Sequence, residues 1–233
     1  MTNEILLMAS IVVIYGAILV LYRFFGREGL FCWMAVATVL ANIEVLRVVE
    51  AFGIEQTLGN VLFASTFLVT DILNEEEGRE YATKAAWLGI IVAVAFVVIS
   101  QSWFLYEPSS GDWAGEGFEI VFSMAPRIVL ASIGVFCICQ HFDIWLYRQI
   151  WKLTDRMTGN SRGLLWVRNN GSTLISQAIN TVLYNVAAFY GVYDGSTLAS
   201  ICIGCYLVFI VTSIADTPAV YIARRIKRNE KNS

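Results

Sequence analysis

Apolar runs approaching membrane-spanning length recur along the chain, at 5–22, 30–46, 85–99, 128–139 and 198–214. An α-helix needs roughly 20 apolar residues to cross a bilayer. Together with the turn and charge signals between them, the runs predict seven helices, at about 4–22, 30–49, 61–73, 81–103, 118–150 with an interruption at Pro126, 166–190 and 197–222. The third is short enough to be re-entrant.

The stretch 166–184, WVRNNGSTLISQAINTVLY, breaks the pattern, because amides, hydroxyls and one arginine crowd a segment flanked by apolar runs. On a helix, Asn169, Ser172, Thr173, Ser176 and Asn180 recur at spacings of three and four and share a face. Gln177 stands at its edge, while Leu174, Ile175, Ile179, Val182 and Leu183 mostly cover the other side. Part of the motif occurs twice. Gln140, Asp143, Leu146 and Tyr147 match Gln177, Asn180, Leu183 and Tyr184, both as Gln-x-x-Asp/Asn-x-x-Leu-Tyr. The repeat predicts two helices presenting the same polar tooth to one shared cavity.

Composition agrees with a membrane protein: 57% of the 233 residues are hydrophobic and 15% charged, against about 25% charged in soluble domains. Mean hydropathy is +0.63. The start, MTNEILLM, has neither a basic n-region nor a following small-residue cleavage site, so the first helix is expected to be retained. Basic residues fall in every second loop: Arg23 and Arg27, then Arg79 and Lys84, then the loop RQIWKLTDRMTGNSRG, then the tail RRIKRNEKNS. The intervening loops carry no lysine or arginine. By the positive-inside rule the basic loops are cytoplasmic, which puts the N-terminus outside and the C-terminus in the cytoplasm. The expected fold is all-α: one polytopic transmembrane helix bundle, of about 6–7 helices, forming a single domain over residues 1–233 of a prokaryotic inner (plasma) membrane.

Few charges interrupt the apolar stretches, and those singled out are Glu44, Arg47, Asp71, Arg127 and Asp143. Such groups are costly in hydrocarbon and face a cavity or a partner. Glu44 and Arg47 stand three apart and suit a local ion pair; Asn42 suits an interhelical hydrogen bond. Arg168 lies near a helix end, where it can snorkel, and Pro126 can kink its helix beside a cavity. At 1.5 Å per residue, Asp71, Gln140, Asp143, Gln177 and Asn180 can meet at one depth. The candidate substrate-binding residues are Asn42, Asp71, Glu75, Arg127, Gln140, Asp143, Asn170, Ser176, Gln177 and Asn180. Carboxylates and amides at fixed positions suit a planar solute with several hydrogen-bonding edges, since a carboxylate accepts two parallel N–H bonds from an amidine-like edge. Phe67, Trp145, Tyr147 and Tyr184 are candidates to stack on it.

Other chemistries find little support. Cys202 and Cys205 form C-x-x-C inside an apolar helix and read as packing residues, as do Cys137 and Cys139. A single histidine, His141, leaves no His-based metal site, and no metal or cofactor is expected. The cluster Glu75-Glu76-Glu77-Gly78-Arg79 misses the Glu-Glu-x-x-x-Arg spacing of CAAX-type intramembrane proteases, because position 80 is Glu and 81 is Tyr. An enzyme is not expected, and Glu76, Glu77 and Glu80 read as a solvated helix end. No phosphate-loop pattern G-x-x-x-x-G-K-[ST] occurs, so any use of ATP requires a partner.

The sequence resembles the vitamin uptake transporter (VUT/YhhQ) family of queuosine precursor transporters. The likeness rests on Asn42-Ile43; Thr70-Asp71-Ile72 with Asn74-Glu75, Gly78 and Ala82; Arg127-Ile128 with Ala131-Ser132; Gln140 and Asp143; Ser172-Thr173, Ser176-Gln177 and Thr181; and Asp216-Thr217-Pro218. It runs from the second helix to the end of the seventh. It implies a plasma-membrane importer of 7-cyano-7-deazaguanine or 7-aminomethyl-7-deazaguanine, purine-like bases salvaged for queuosine in tRNA. One departure matters: Asn180 stands where family members resemble Ser-Gln-x-x-Asp-Thr, which removes a negative charge and weakens the expectation for a cationic aminomethyl base. The alternative is the substrate-binding subunit of an energy-coupling-factor vitamin importer, although helix 1 lacks an obvious Ala-x-x-x-Ala docking face. The expected partners are a small-molecule base and the lipid bilayer, with no nucleic acid. A homodimer and an ATPase partner stay open.

Overall fold

Gly26 sets the first turn of the architecture. Helix α1 (Asn3–Glu44) is broken there by a backbone at φ 58° and ψ −143°, a region that a side chain disfavours. The chain folds back on itself, so that the Asn3 amide donates to the Glu50 carbonyl at 2.8 Å at the opposite end. The two limbs are the first two predicted helices. They meet closely at Gly29, where a Cβ would lie 2.5 Å from the Leu21 carbonyl oxygen. The computed structural model describes residues 2–122, 126–160, 163–191 and 194–232, without the side chains at 48, 54–57, 120, 126–129 and 228–232.

A two-stranded antiparallel ribbon follows, β1 (Val48–Ala51) paired with β2 (Ile54–Thr57), in the segment read from sequence as an acidic loop. Helix α2 (Gly59–Ile72) and a π-helical turn (Leu73–Glu77) then bring the chain back toward the Gly26 end. All residues of α2 except Asn60 and Phe63 are buried. It is therefore the central post of the bundle, walled by other helices. Helix α3 (Arg79–Ser102) ascends, and a short α4 (Gly115–Phe122) packs Phe118 and Phe122 on Trp103. Helix α5 (Pro126–Thr158) opens on its proline, where the missing N–H would have no intrahelical partner. The expected interrupted helix is thus two helices, and the lower one continues past 150 into the predicted loop.

Helices α6 (Leu165–Phe189) and α7 (Gly195–Asn232) complete the bundle. Asp194 caps α7, accepting the Thr197 N–H at 2.6 Å and the Ser196 hydroxyl at 2.9 Å. The Thr197 N–H bond, with Ser196, holds its carboxyl below the usual range. Four segments, Asn3–Glu44, Arg79–Leu105, Leu130–Thr158 and Gly195–Lys227, are by themselves long and apolar enough to cross a membrane. The bundle wears apolar side chains outward, among them Val12, Ile91, Val98, Ile138, Ile203 and Ile214. That coat suits lipid, as in a bilayer-spanning protein. The core of Ile18, Leu30, Met34, Leu68, Ile72, Ala86, Ile144, Leu165 and Val220 joins α1, α2, α3, α5, α6 and α7. The all-α membrane bundle expected from the apolar runs is what forms.

Candidate functional site

Two polar clusters lie inside this apolar frame, one at mid-depth and one at the end that carries Gly26 and the C-terminal tail. The first begins with helix register. A Cβ at Gly171 would come within 3.1 Å of the Ile150 side chain. Antiparallel pairing of α5 and α6 from that point sets Asp143 level with Gln177, and Gln140 level with Asn180 and Thr181. The two repeated polar teeth therefore meet, and α2 bonds to both helices. The Gln140 amide donates to Thr66 Oγ1 at 2.7 Å, and its carbonyl accepts from Thr70 at 3.3 Å. Thr173 donates to Asp71 Oδ2 at 3.1 Å. Helix α7 adds Asp216, which with Asp71 and Asp143 forms an interacting group of carboxylates. From α1, Tyr15 stands beside Asp216, its hydroxyl donating to the Thr212 carbonyl at 3.4 Å.

Much of this cluster has no hydrogen-bond partner among the described residues. Both oxygens of Asp143 and of Asp216, Oδ1 of Asp71, both amide atoms of Asn169 and of Gln177, and the hydroxyls of Ser176 and Thr181 are buried and unmatched. Ser172 and Ser176 flank Asp143 without reaching bonding geometry. Asp71, Gln140, Asp143, Asn169, Ser172 and Ser176 are wholly shut off from the outside, and Asn180 is buried. A buried polar group left unpaired costs about 1–3 kcal/mol. Unpaired groups on this scale call for a function, because native interiors keep very few. No lysine or arginine among the described residues forms an ion pair with Asp71, Asp143 or Asp216.

The second cluster is saturated. The π-helical turn projects Glu75 to the mouths of α5, α6 and α7. Arg168 Nε and Nη2 donate to its two oxygens at 2.8 and 2.6 Å, a bidentate pair with the guanidinium wholly buried. Tyr147 donates to Glu75 at 2.8 Å, and Arg224 closes the same carboxylate from α7. Arg168 also donates to the Gly163 carbonyl at 2.5 Å and lies 4.4 Å from the Trp151 ring centroid. Beside it Arg148 donates to Asn74 Oδ1 at 2.6 Å. Glu76 pairs with Arg224 at 3.5 Å, and Glu77 takes Lys227 and the Tyr22 hydroxyl.

The sequence-based candidates separate accordingly. Asp71, Gln140, Asp143, Ser176, Gln177 and Asn180 converge on the mid-depth cluster. Glu75 belongs to the ionic clasp instead. Asn170 ties α6 to α7 through Thr217 at 2.5 Å and Ser213 at 3.1 Å. Asn42 donates within its own helix, to the Thr38 carbonyl at 2.8 Å, rather than across helices. The Arg127 side chain lies outside the described residues. Trp145 is 44% exposed and faces outward, so it does not stack on a ligand here, whereas Phe67 is buried. Several expectations are corrected. Arg168 does not snorkel, because a buried carboxylate meets it. Glu76 and Glu77 are only 5% and 10% exposed and are ion-paired, not solvated; Glu80 is exposed and pairs with Lys84. Glu44 and Arg47 are joined by a backbone bond of 2.9 Å and by no described ion pair. Thr66, Thr70, Thr173, Asp216 and Tyr15 were absent from the sequence-based set. Asp216 carried a signal, a carboxylate inside a predicted span.

Comparison with known proteins adds the lineage. The family described as "Putative vitamin uptake transporter" matches residues 57–223. A protein of Bacillus subtilis (strain 168) named "Probable queuosine precursor transporter" is 37% identical over 218 residues, covering 93% of this chain and 92% of the relative. No solved structure matches. The chain belongs to the vitamin uptake transporter family and is a multi-pass membrane transporter rather than an enzyme.

Proposed function

We propose that this transporter imports queuosine precursors, 7-cyano-7-deazaguanine and 7-aminomethyl-7-deazaguanine, and binds the base at the mid-depth cluster. The observation that carries the reading is the set of buried, unpaired acceptors and amides on α2, α5, α6 and α7. A deazaguanine presents N–H donors on its amidine-like edge and a carbonyl acceptor beside them. Asp143 and Asp71 suit the donors, and Gln177 suits the carbonyl or a ring nitrogen. The name of the Bacillus subtilis relative points to the same substrate class.

In this reading the described arrangement is a closed one, and helices rock apart to admit the base from either side. The basic segments gather at the end with the Gly26 bend and the tail, which supports a cytoplasmic assignment for that end and an outside N-terminus. The test uses cells that cannot make queuosine and lack an importer of their own. Each precursor is supplied at low concentration, and queuosine in tRNA is assayed. Restored queuosine is expected, and its loss in Asp143→Asn or Gln177→Ala ties transport to the cluster. Well-inserted protein that restores nothing refutes the reading.

A further inference from the structure

Asp216 is the least expected member of the cluster and the most informative. It lies on α7, one residue before Thr217, whose hydroxyl is bonded to Asn170, and two before Pro218 inside the helix. Its side chain is buried at 1% exposure, and neither carboxylate oxygen has a hydrogen-bond partner among the described residues, the Tyr15 hydroxyl lying beside it without reaching bonding geometry. The groups near enough to interact with it electrostatically are Tyr15 on α1, Asp143 on α5 and Asp71 on α2. Thr217 and Ser213 on the same helix are already bound to Asn170, so α7 is anchored on both sides of Asp216 and the carboxylate is held inward.

The charge balance then decides what such a site wants. Three carboxylates share a water-poor interior. The described cations beside the cluster's lower edge, Arg168, Arg224 and Lys227, are clasped by Glu75, Glu76 and Glu77. None pairs with Asp71, Asp143 or Asp216. Carboxylates inside a membrane protein are stabilised by a cationic partner or by strong donors. Gln177 and Ser176 can donate but carry no charge, and no described cation reaches the three carboxyl groups, so a solute that brings its own positive charge is the partner that would draw them into the ionised form.

We infer that Asp216 is a substrate-contacting residue that supplies the third carboxylate of an anionic site and selects an ammonium-bearing base over an otherwise similar neutral one. This rests on the reading of the mid-depth cluster as the base site. It also supplies from α7 the negative charge that Asn180 does not provide from α6.

The experiment measures uptake of the aminomethyl base, which is an ammonium ion at neutral pH, and of the neutral cyano base. In the wild type, unlabelled aminomethyl base competes at least tenfold more strongly than cyano base, or about 1.4 kcal/mol. In Asp216→Asn the ratio of the two competition strengths falls at least tenfold. Equal competition in the wild type overturns the inference, a measurement that needs no variant to fold. A wild-type preference left unchanged in well-inserted Asp216→Asn also overturns it. So does a parallel loss of both bases, which would mark Asp216 as structural or as part of an ion-coupling step. Wild type that imports neither base defeats the functional reading and this inference together, whereas the other outcomes leave that reading standing.

Discussion

Asp71 and Glu75 stand about one helical turn, roughly 6 Å of rise, apart on one continuous segment, yet they live in opposite circumstances. Glu75 is held by two arginines and a tyrosine and leaves neither oxygen idle. Asp71 has one threonine, and the carboxylates beside it, Asp143 and Asp216, have no hydrogen bond among the described residues. The clasp at the tail end consumes its charge internally and so fastens α2, α5, α6 and α7 together. The mid-depth cluster holds its charge in reserve. The contrast teaches how to tell a buried charge that builds a protein from one that works for it: the first is matched from within, the second is not.

Three substitutions probe that contrast through thermal stability in detergent. Arg168→Ala takes the principal partner from a buried carboxylate, and removing one member of such a pair costs about 3 kcal/mol or more. A melting temperature within a degree of wild type would mean the clasp is ornamental. Thr66→Val removes the acceptor of the Gln140 amide, and a loss of about 1 kcal/mol is expected. No loss would move Gln140 from the matched set into the unmatched one. Asp143→Asn alters a group with nothing to lose, so stability stays level or rises while binding of the base is lost. A marked destabilisation would show that Asp143 is structural and would erase the distinction between the clusters.

How far the chain announces this arrangement varies by element. The helices follow from apolar runs, and even the ends of α6, read as 166–190, fall at Leu165–Phe189, because lipid imposes one solution on such segments. Asp71, Asp143 and Gln177 stand out as polar groups in apolar surroundings, which is a local signal. The clasp gives no local signal. Arg168 meets Glu75 across 93 residues and Arg224 meets it across 149, so neighbours in sequence make both look like interfacial cations. Tyr15 resembles any tyrosine of a membrane helix until α7 is laid against it. The ribbon of β1 and β2 escapes notice because strands of four residues carry too little alternation to register.

The enclosure of α2 has a consequence for how the protein is made. Its fourteen residues rise about 21 Å, and the π-helical turn Leu73–Glu77 extends the run toward the hydrocarbon thickness of about 30 Å. Ser65 is met by Trp33 of the earlier α1, but Thr66, Thr70 and Asp71 find their side-chain partners on helices synthesised later, Gln140 lying 74 residues beyond Thr66. The polar contacts of α2 are therefore completed only once α5 and α6 have been translated.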